Sequence, residues 1–255
     1  MIFSWLAAVL AVGGLGALLP VPAREFGSRF HRMIGFMASL LLAAGLAGDA
    51  LRGAAGWGML AATVLWIFLI PWVPLAWIRP SLAVLVLLGV GAILTATPFI
   101  PRLPVLQAAA WAPPANALAS GLLLGSVTMG MLVGHWYLNV PGLDIKHLRK
   151  MTWFLAGALA LRILLGVTSI ATSVPLQSAG EISPWRVAGI REAFFFWQRV
   201  GIGLLAPAVL AILVDRTVRI RSTQSATGLL YVMVFFVLIG EMISRFLYVA
   251  RGIPQ

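Results

Sequence analysis

Apolar runs of about twenty residues recur along this chain, and they restrict the fold before any motif is considered. A helix rises about 1.5 Å per residue, so a run of that length matches the hydrocarbon thickness of a bilayer. Eight runs are expected to span, at roughly 2–20, 33–49, 57–78, 81–100, 116–139, 152–174, 193–214 and 227–248. They are continuous rather than alternating, which excludes a strand barrel. Charged residues make up 10% of the chain and hydrophobic ones 61%, where a soluble domain carries about 25% charged. The expected fold class is all-α: a polytopic membrane protein in which residues 1–255 form one transmembrane helical bundle. The connections are too short for a separate aqueous domain. The first run, from Ile2, has no basic segment before it, so it is read as a retained span rather than a cleaved signal.

The net charge is +11. In a soluble protein that would point to nucleic acid. Here the basic residues sit in short loops, so no nucleic-acid partner is expected and the positive charge is read as orientation in lipid. Alternate loops hold Arg24, Arg29, Arg32, Arg79, Lys146, Arg149, Lys150, Arg216, Arg219 and Arg221. The opposite loops hold Arg52, Arg102, Arg186, Arg191 and Arg251. The richer side is cytoplasmic by the positive-inside rule, which places both termini on the non-cytoplasmic side. The basic inner loop around His147 also suits acidic lipid headgroups, in a generic way.

The outer loops carry more pattern. Residues 101–114 hold four prolines and Trp111, which suits a segment along the membrane interface. Residues 173–192 have room for a short interfacial helix. In RIRSTQSAT, Arg219 to Thr227, the Ser and Thr residues suit the start of the last span. Gly121 with Gly125, and Gly130 with Gly134, form small-xxx-small pairs; close packing within the molecule is expected of them.

Four ionisable residues interrupt the apolar runs: Arg162, Arg199, Glu241 and Arg245. Such groups are costly at membrane depth and face the protein interior or a wet cavity. Glu241 and Arg245 stand one helical turn apart and are expected to pair. Counting helix rise puts Glu241 about 10 Å and Arg199 about 9 Å from the outer ends of antiparallel neighbours. Arg162 lies deeper, about 18 Å in, and Arg245 nearer the outer surface. Asp49 ends the second span on the same side.

Two readings of this cluster stand side by side. One is a structural ion network tethering the last three spans. The other is a polar pocket in the outer half of the bilayer, suited to a quinone headgroup. In that reading Glu241 is the catalytic residue, accepting the proton released when quinol is oxidised, and Arg199, Arg245, Arg162 and Asp49 bind the headgroup. The chain has no cysteine, so it offers no cysteine-ligated iron–sulfur cluster and no thiolate metal site. A bis-histidine haem is a minor alternative, with His31 and His135 the pair available. No HExxH, CxxC, paired-Asp or glycine-rich phosphate motif occurs.

The stretch GEMISRFLYVARG, Gly240 to Gly252, resembles the last span of the integral-membrane anchor subunits of dimethyl sulfoxide, polysulfide and nitrite reductases. Those carry a similar Gly-Glu, a following Arg and an aromatic near the end. The stretch FFFWQRVGIGLLAPAVLAIL, Phe194 to Leu213, resembles the span before it, with Trp197 and Arg199 in similar places. The first half departs from the family. Its His-Leu-Gly motif at the outer end of the second span is missing, and GLAGDALRG stands there instead, with Asp49 as a candidate substitute. The resemblance implies a subunit of the bacterial inner membrane, without redox centre of its own. It would exchange electrons between membrane quinone or quinol and an outward-facing iron–sulfur partner. Two rival readings are a ligand-free scaffold subunit of a membrane complex and a small-molecule transporter lined by Arg162 and Glu241.

Overall fold

Proline and glycine set most of the helix boundaries. The computed structural model describes residues 2–48, 50–51, 53–97, 111–140, 142–178 and 190–251. These form α1 (Ile2–Leu18), α2 (Ala23–Ala47), α3 (Ala54–Leu69), α4 (Leu75–Ala96), α5 (Ala112–Asn139), α6 (Lys146–Ser178), α7 (Ile190–Val200), α8 (Ala206–Arg219) and α9 (Thr223–Arg251). A 3₁₀ turn, Ile70–Trp72, follows α3, and a π-helical turn, Gly201–Leu205, joins α7 to α8. Pro22 precedes α2, Pro74 precedes α4, and Pro113 and Pro114 open α5. Proline suits these places because the first-turn N–H groups have no intrahelical acceptor.

The chain is an all-helical, multi-pass membrane protein. Among the described residues, seven helical stretches are long and apolar enough to cross a membrane: Ala23–Ala47, Ala54–Trp72, Leu75–Ala96, Ala112–Asn139, Lys146–Ser169, Ala193–Arg219 and Thr223–Val249. The remaining apolar helix, α1, has 17 residues.

Several boundaries differ from the sequence expectation. Pro71 and Pro74 end the third run early, so residues 75–78 belong to α4 rather than to the helix before it. The basic segment KHLRK, expected in a loop, forms the first turns of α6. Asp144 makes this possible, since its carboxylate accepts the Lys146 backbone N–H at 3.0 Å. That bond, together with the Lys146 ammonium at 3.1 Å, holds the Asp144 carboxyl below the usual carboxylate range. Arg24, Arg29 and Arg32 likewise lie on α2 rather than before it. That helix is kinked at Gly27, whose φ of 78° favours glycine.

Helix α1 lies at the centre of the bundle, packed mainly on α5 and α2. Glycine makes the α1–α5 contact a backbone contact. A Cβ on Gly121 would stand 2.7 Å from the Val9 carbonyl oxygen, and one on Gly125 would stand 2.0 Å from the Gly13 carbonyl carbon. Residue numbers rise together across this seam, so α1 and α5 are parallel. The α1–α2 pair is antiparallel: Ser4 Oγ donates to the Gly48 carbonyl at 3.1 Å, and Gly45 sits against Ala8. Helix α9 runs antiparallel to α5, with Leu230 against Gly130 and Thr227 against Gly134. Both small-residue pairs thus pack inside the molecule, as expected. At one end of the bundle Glu25 of α2 meets His147 of α6 beside the Phe26 ring. Phe30 and Trp136 stack edge-on next to them. Helices α3 and α4 bury few residues and turn Trp57, Phe68, Trp77 and Leu87 outward, which suits contact with lipid tails.

Candidate functional site

At the bundle end opposite Glu25 and His147, five helices bring a polar cluster together. Arg162 of α6, Arg199 of α7 and Glu241 of α9 are each at most 3% exposed. Arg162 Nε donates to both Glu241 oxygens, at 3.1 and 3.3 Å, and its Nη2 reaches Glu241 Oε2 at 3.1 Å. Arg199 Nη2 donates to Glu241 Oε1 at 2.8 Å. One carboxylate therefore lies between two guanidiniums from different helices. Two further Arg162 donors go to Asn116 Oδ1 at 2.7 Å and Ser244 Oγ at 2.9 Å. Asn116 in turn donates to Ser169 Oγ and the Ala112 carbonyl.

The backbone is shaped to let Arg199 in. Pro207 has no N–H for the carbonyl four residues back, that of Gly203. Arg199 Nη1 donates to that carbonyl instead, at 3.3 Å. The π-helical turn Gly201–Leu205 accommodates the change. Gly203 and Gly240 then bring α8 and α9 together. A Cβ on Gly240 would lie 2.3 Å from Gly203 Cα and 2.8 Å from Arg199 Nη1. Any side chain at either glycine would occupy the path of the guanidinium.

Arg245 departs from the expectation. It does not pair with Glu241, because guanidiniums from α6 and α7 already engage both carboxylate oxygens. Its guanidinium lies over the Trp5 ring at 4.4 Å and the Tyr248 ring at 5.0 Å. Its Nε is buried without an acceptor among the described residues. A cleft of about 40 Å³ opens here, bordered by Trp5, Asn116, Ser120, Arg162, Glu241, Ser244, Arg245 and Tyr248. It has room for a few water molecules.

The depth count correctly placed Arg199 level with Glu241. Arg162 was placed deeper, yet its long side chain reaches the same carboxylate. Trp5, Asn116, Ser244, Tyr248 and the Gly203–Gly240 pair were missed. Asn116 carried a signal, being an amide in an apolar run. Gly240 did too, lying directly before the acidic residue. Asp49 lies outside the described residues. His31 and His135 have separate neighbours. His31 is buried on α2 with Nδ1 on the Gly27 carbonyl at 3.0 Å, whereas His135 is exposed, 3.4 Å from the Tyr231 hydroxyl. Among the described residues no group of three His, Cys, Asp or Glu side chains is placed to hold a metal ion. A second cleft of about 320 Å³, between α1, α2 and α5, is almost wholly apolar and offers no chemistry. No family model, curated protein or solved structure matches this chain.

Proposed function

We propose that the chain is a quinone-interacting membrane anchor subunit of an electron-transfer complex, with its headgroup site at the Arg245 cleft. The observation that carries this reading is Arg245 itself. It is a permanent cation inside an apolar helix, without a hydrogen bond to the described residues, beside a cleft walled by Trp5 and Tyr248. A quinone oxygen in the cleft is an acceptor for the Arg245 guanidinium, and the aromatic walls suit its ring. The resemblance of GEMISRFLYVARG to reductase anchors supports the same reading, and with it an outward-facing iron–sulfur partner in a bacterial inner membrane. A quinone ring is larger than the cleft, so entry requires Trp5 or Tyr248 to swing aside. Proton acceptance by Glu241 requires one of its two arginines to release it.

The same reading includes eight spans with both termini outward. The helix directions support the alternation, and the Lys and Arg distribution supports the outward termini. A first span parallel to the fifth, antiparallel to the second, and a fifth antiparallel to the eighth are what an alternating eight-span chain demands. The cleft then opens toward the non-cytoplasmic half.

One observation favours the scaffold reading instead. Glu241 is fully engaged by Arg162 and Arg199, as a tether between α6, α7 and α9 would be. Titration of purified protein in lipid nanodiscs with ubiquinone-1 and menadione separates the two. The anchor reading expects saturable quenching of tryptophan fluorescence. It also expects about tenfold weaker binding or more in Arg245→Gln, the size of a lost charge-assisted hydrogen bond. No saturable quenching in the unmodified protein leaves the scaffold.

A further inference from the structure

We infer that the Arg245 cleft is an anion-selective site: it takes a ligand through an ionised oxygen, an enolate or carboxylate on a flat ring, in preference to the neutral analogue. The inference deepens the quinone reading and rests on it only for the identity of the ring.

Charge counting is the first support. Two guanidiniums, those of Arg162 and Arg199, engage the one described carboxylate, Glu241, and a third, that of Arg245, lines the same cleft. Glu241 is engaged by Arg162 and Arg199, so Arg245 has no counter-ion among the described residues. Arginine does not escape the cost of burial by losing its proton, because its guanidinium stays charged in proteins. An anionic ligand would supply the missing charge.

Hydrogen-bond geometry is the second. Asn116 has both its amide and its carbonyl oxygen engaged, and Ser244 accepts from Arg162. Trp5 and Tyr248 hold the Arg245 guanidinium through their ring faces, a contact that leaves N–H groups free. Arg245 is therefore the charged group on the cleft with donors to offer, and in an apolar setting such donors favour an ionised acceptor over a neutral one. The cleft is small and its other walls include Leu6, Pro113 and Ala117, apolar surroundings that strengthen a charge-assisted hydrogen bond.

Three probes test this on the purified full-length chain in nanodiscs at neutral pH. They are 2-hydroxy-1,4-naphthoquinone, which is ionised, its neutral 2-methoxy analogue, and 2-naphthoate, an anion that is not a quinone. The hydroxy compound is expected to bind at least about tenfold tighter than the methoxy compound. That preference is expected to vanish in Arg245→Gln and to persist in part in Arg245→Lys. Equal affinities for the hydroxy and methoxy compounds overturn anion selectivity and leave the quinone reading standing. Binding of 2-naphthoate without binding of either quinone supports the anion site and overturns the quinone reading. Binding of no probe overturns both. If Arg245→Gln fails to fold, the comparison in the unmodified protein decides.

Discussion

Glu241 is a carboxylate between two arginines, and its removal strands both. A buried ion pair is costly to break from one side, by about 3–5 kcal/mol, because the partner charge stays behind unpaired. Glu241→Gln is therefore expected to lower thermal stability in detergent strongly, whereas Arg245→Gln, which removes a cation lacking an ionic partner among the described residues, is expected to change it little. Melting curves of the two variants side by side check this, and an unshifted Glu241→Gln curve would contradict the tether. The individual charges were legible in the sequence because a charge in an apolar run stands out. Their pairing was legible only in part. The one-turn rule suggested Glu241 with Arg245, but it considers a single helix and ignores competitors. Arg162 and Arg199 arrive from two other helices and engage both oxygens, which no spacing within α9 reveals. Depth counting set Arg199 level with Glu241 and set Arg162 apart, because it counts backbone level only and a long side chain bridges the difference.

At the scale of elements, the helices were legible and their contacts were not. Hydropathy found the apolar runs, yet whether a glycine is a spacer or a contact depends on its neighbour across the gap. Gly13 and Gly14 adjoin in sequence. A Cβ on Gly13 would fall 1.7 Å from the Gly121 carbonyl oxygen, while one on Gly14 would meet nothing within 4 Å. Gly13→Ala is thus expected to destabilise the bundle, and Gly14→Ala to be tolerated, with melting temperature and monodispersity on size-exclusion chromatography as the measures. The same contrast holds where α7 turns into α8. Gly240→Ala is expected to push α8 from α9 and displace Arg199. Gly201→Ala, with open space around it, is expected to melt like the parent. Equal behaviour of the two alanine variants would remove the glycine contact from the account of the site. The π-helical turn had no reading in advance, although Pro207 marks the carbonyl that it frees.

At the scale of the whole molecule, the proposed orientation, with both termini outward, rests on the Lys and Arg distribution alone, because alternating helix directions fit either orientation. The absence of cysteine from the sequence makes this easy to test, because any introduced thiol is the sole target. In right-side-out vesicles a membrane-impermeant maleimide is expected to label Phe3→Cys and Ala55→Cys and to spare Ser222→Cys. The reverse pattern would invert the molecule. Labelling of Ala55→Cys without Phe3→Cys would mean that α1 and α2 do not both cross. The class and the approximate positions of the apolar helices were legible because lipid imposes one simple rule on every residue of a span. The packing order was not, since α1 and α5 are neighbours in space and distant in sequence.

That last fact bears on how the protein is made. Helix α1 leaves the ribosome well before its principal partner. From Gly13 to Gly121 lie 108 residues, which take roughly 5–20 s to synthesise at ordinary elongation rates. During that interval the glycine face of α1 has no mate, and the slot that α5 will fill stands open to lipid or to the insertion machinery. The late-arriving α5 must enter beside a helix already seated rather than add to the edge of a growing row. A pause or truncation before residue 121 would therefore leave a first half whose central helix lacks its main contact, and which membrane quality control has reason to recognise.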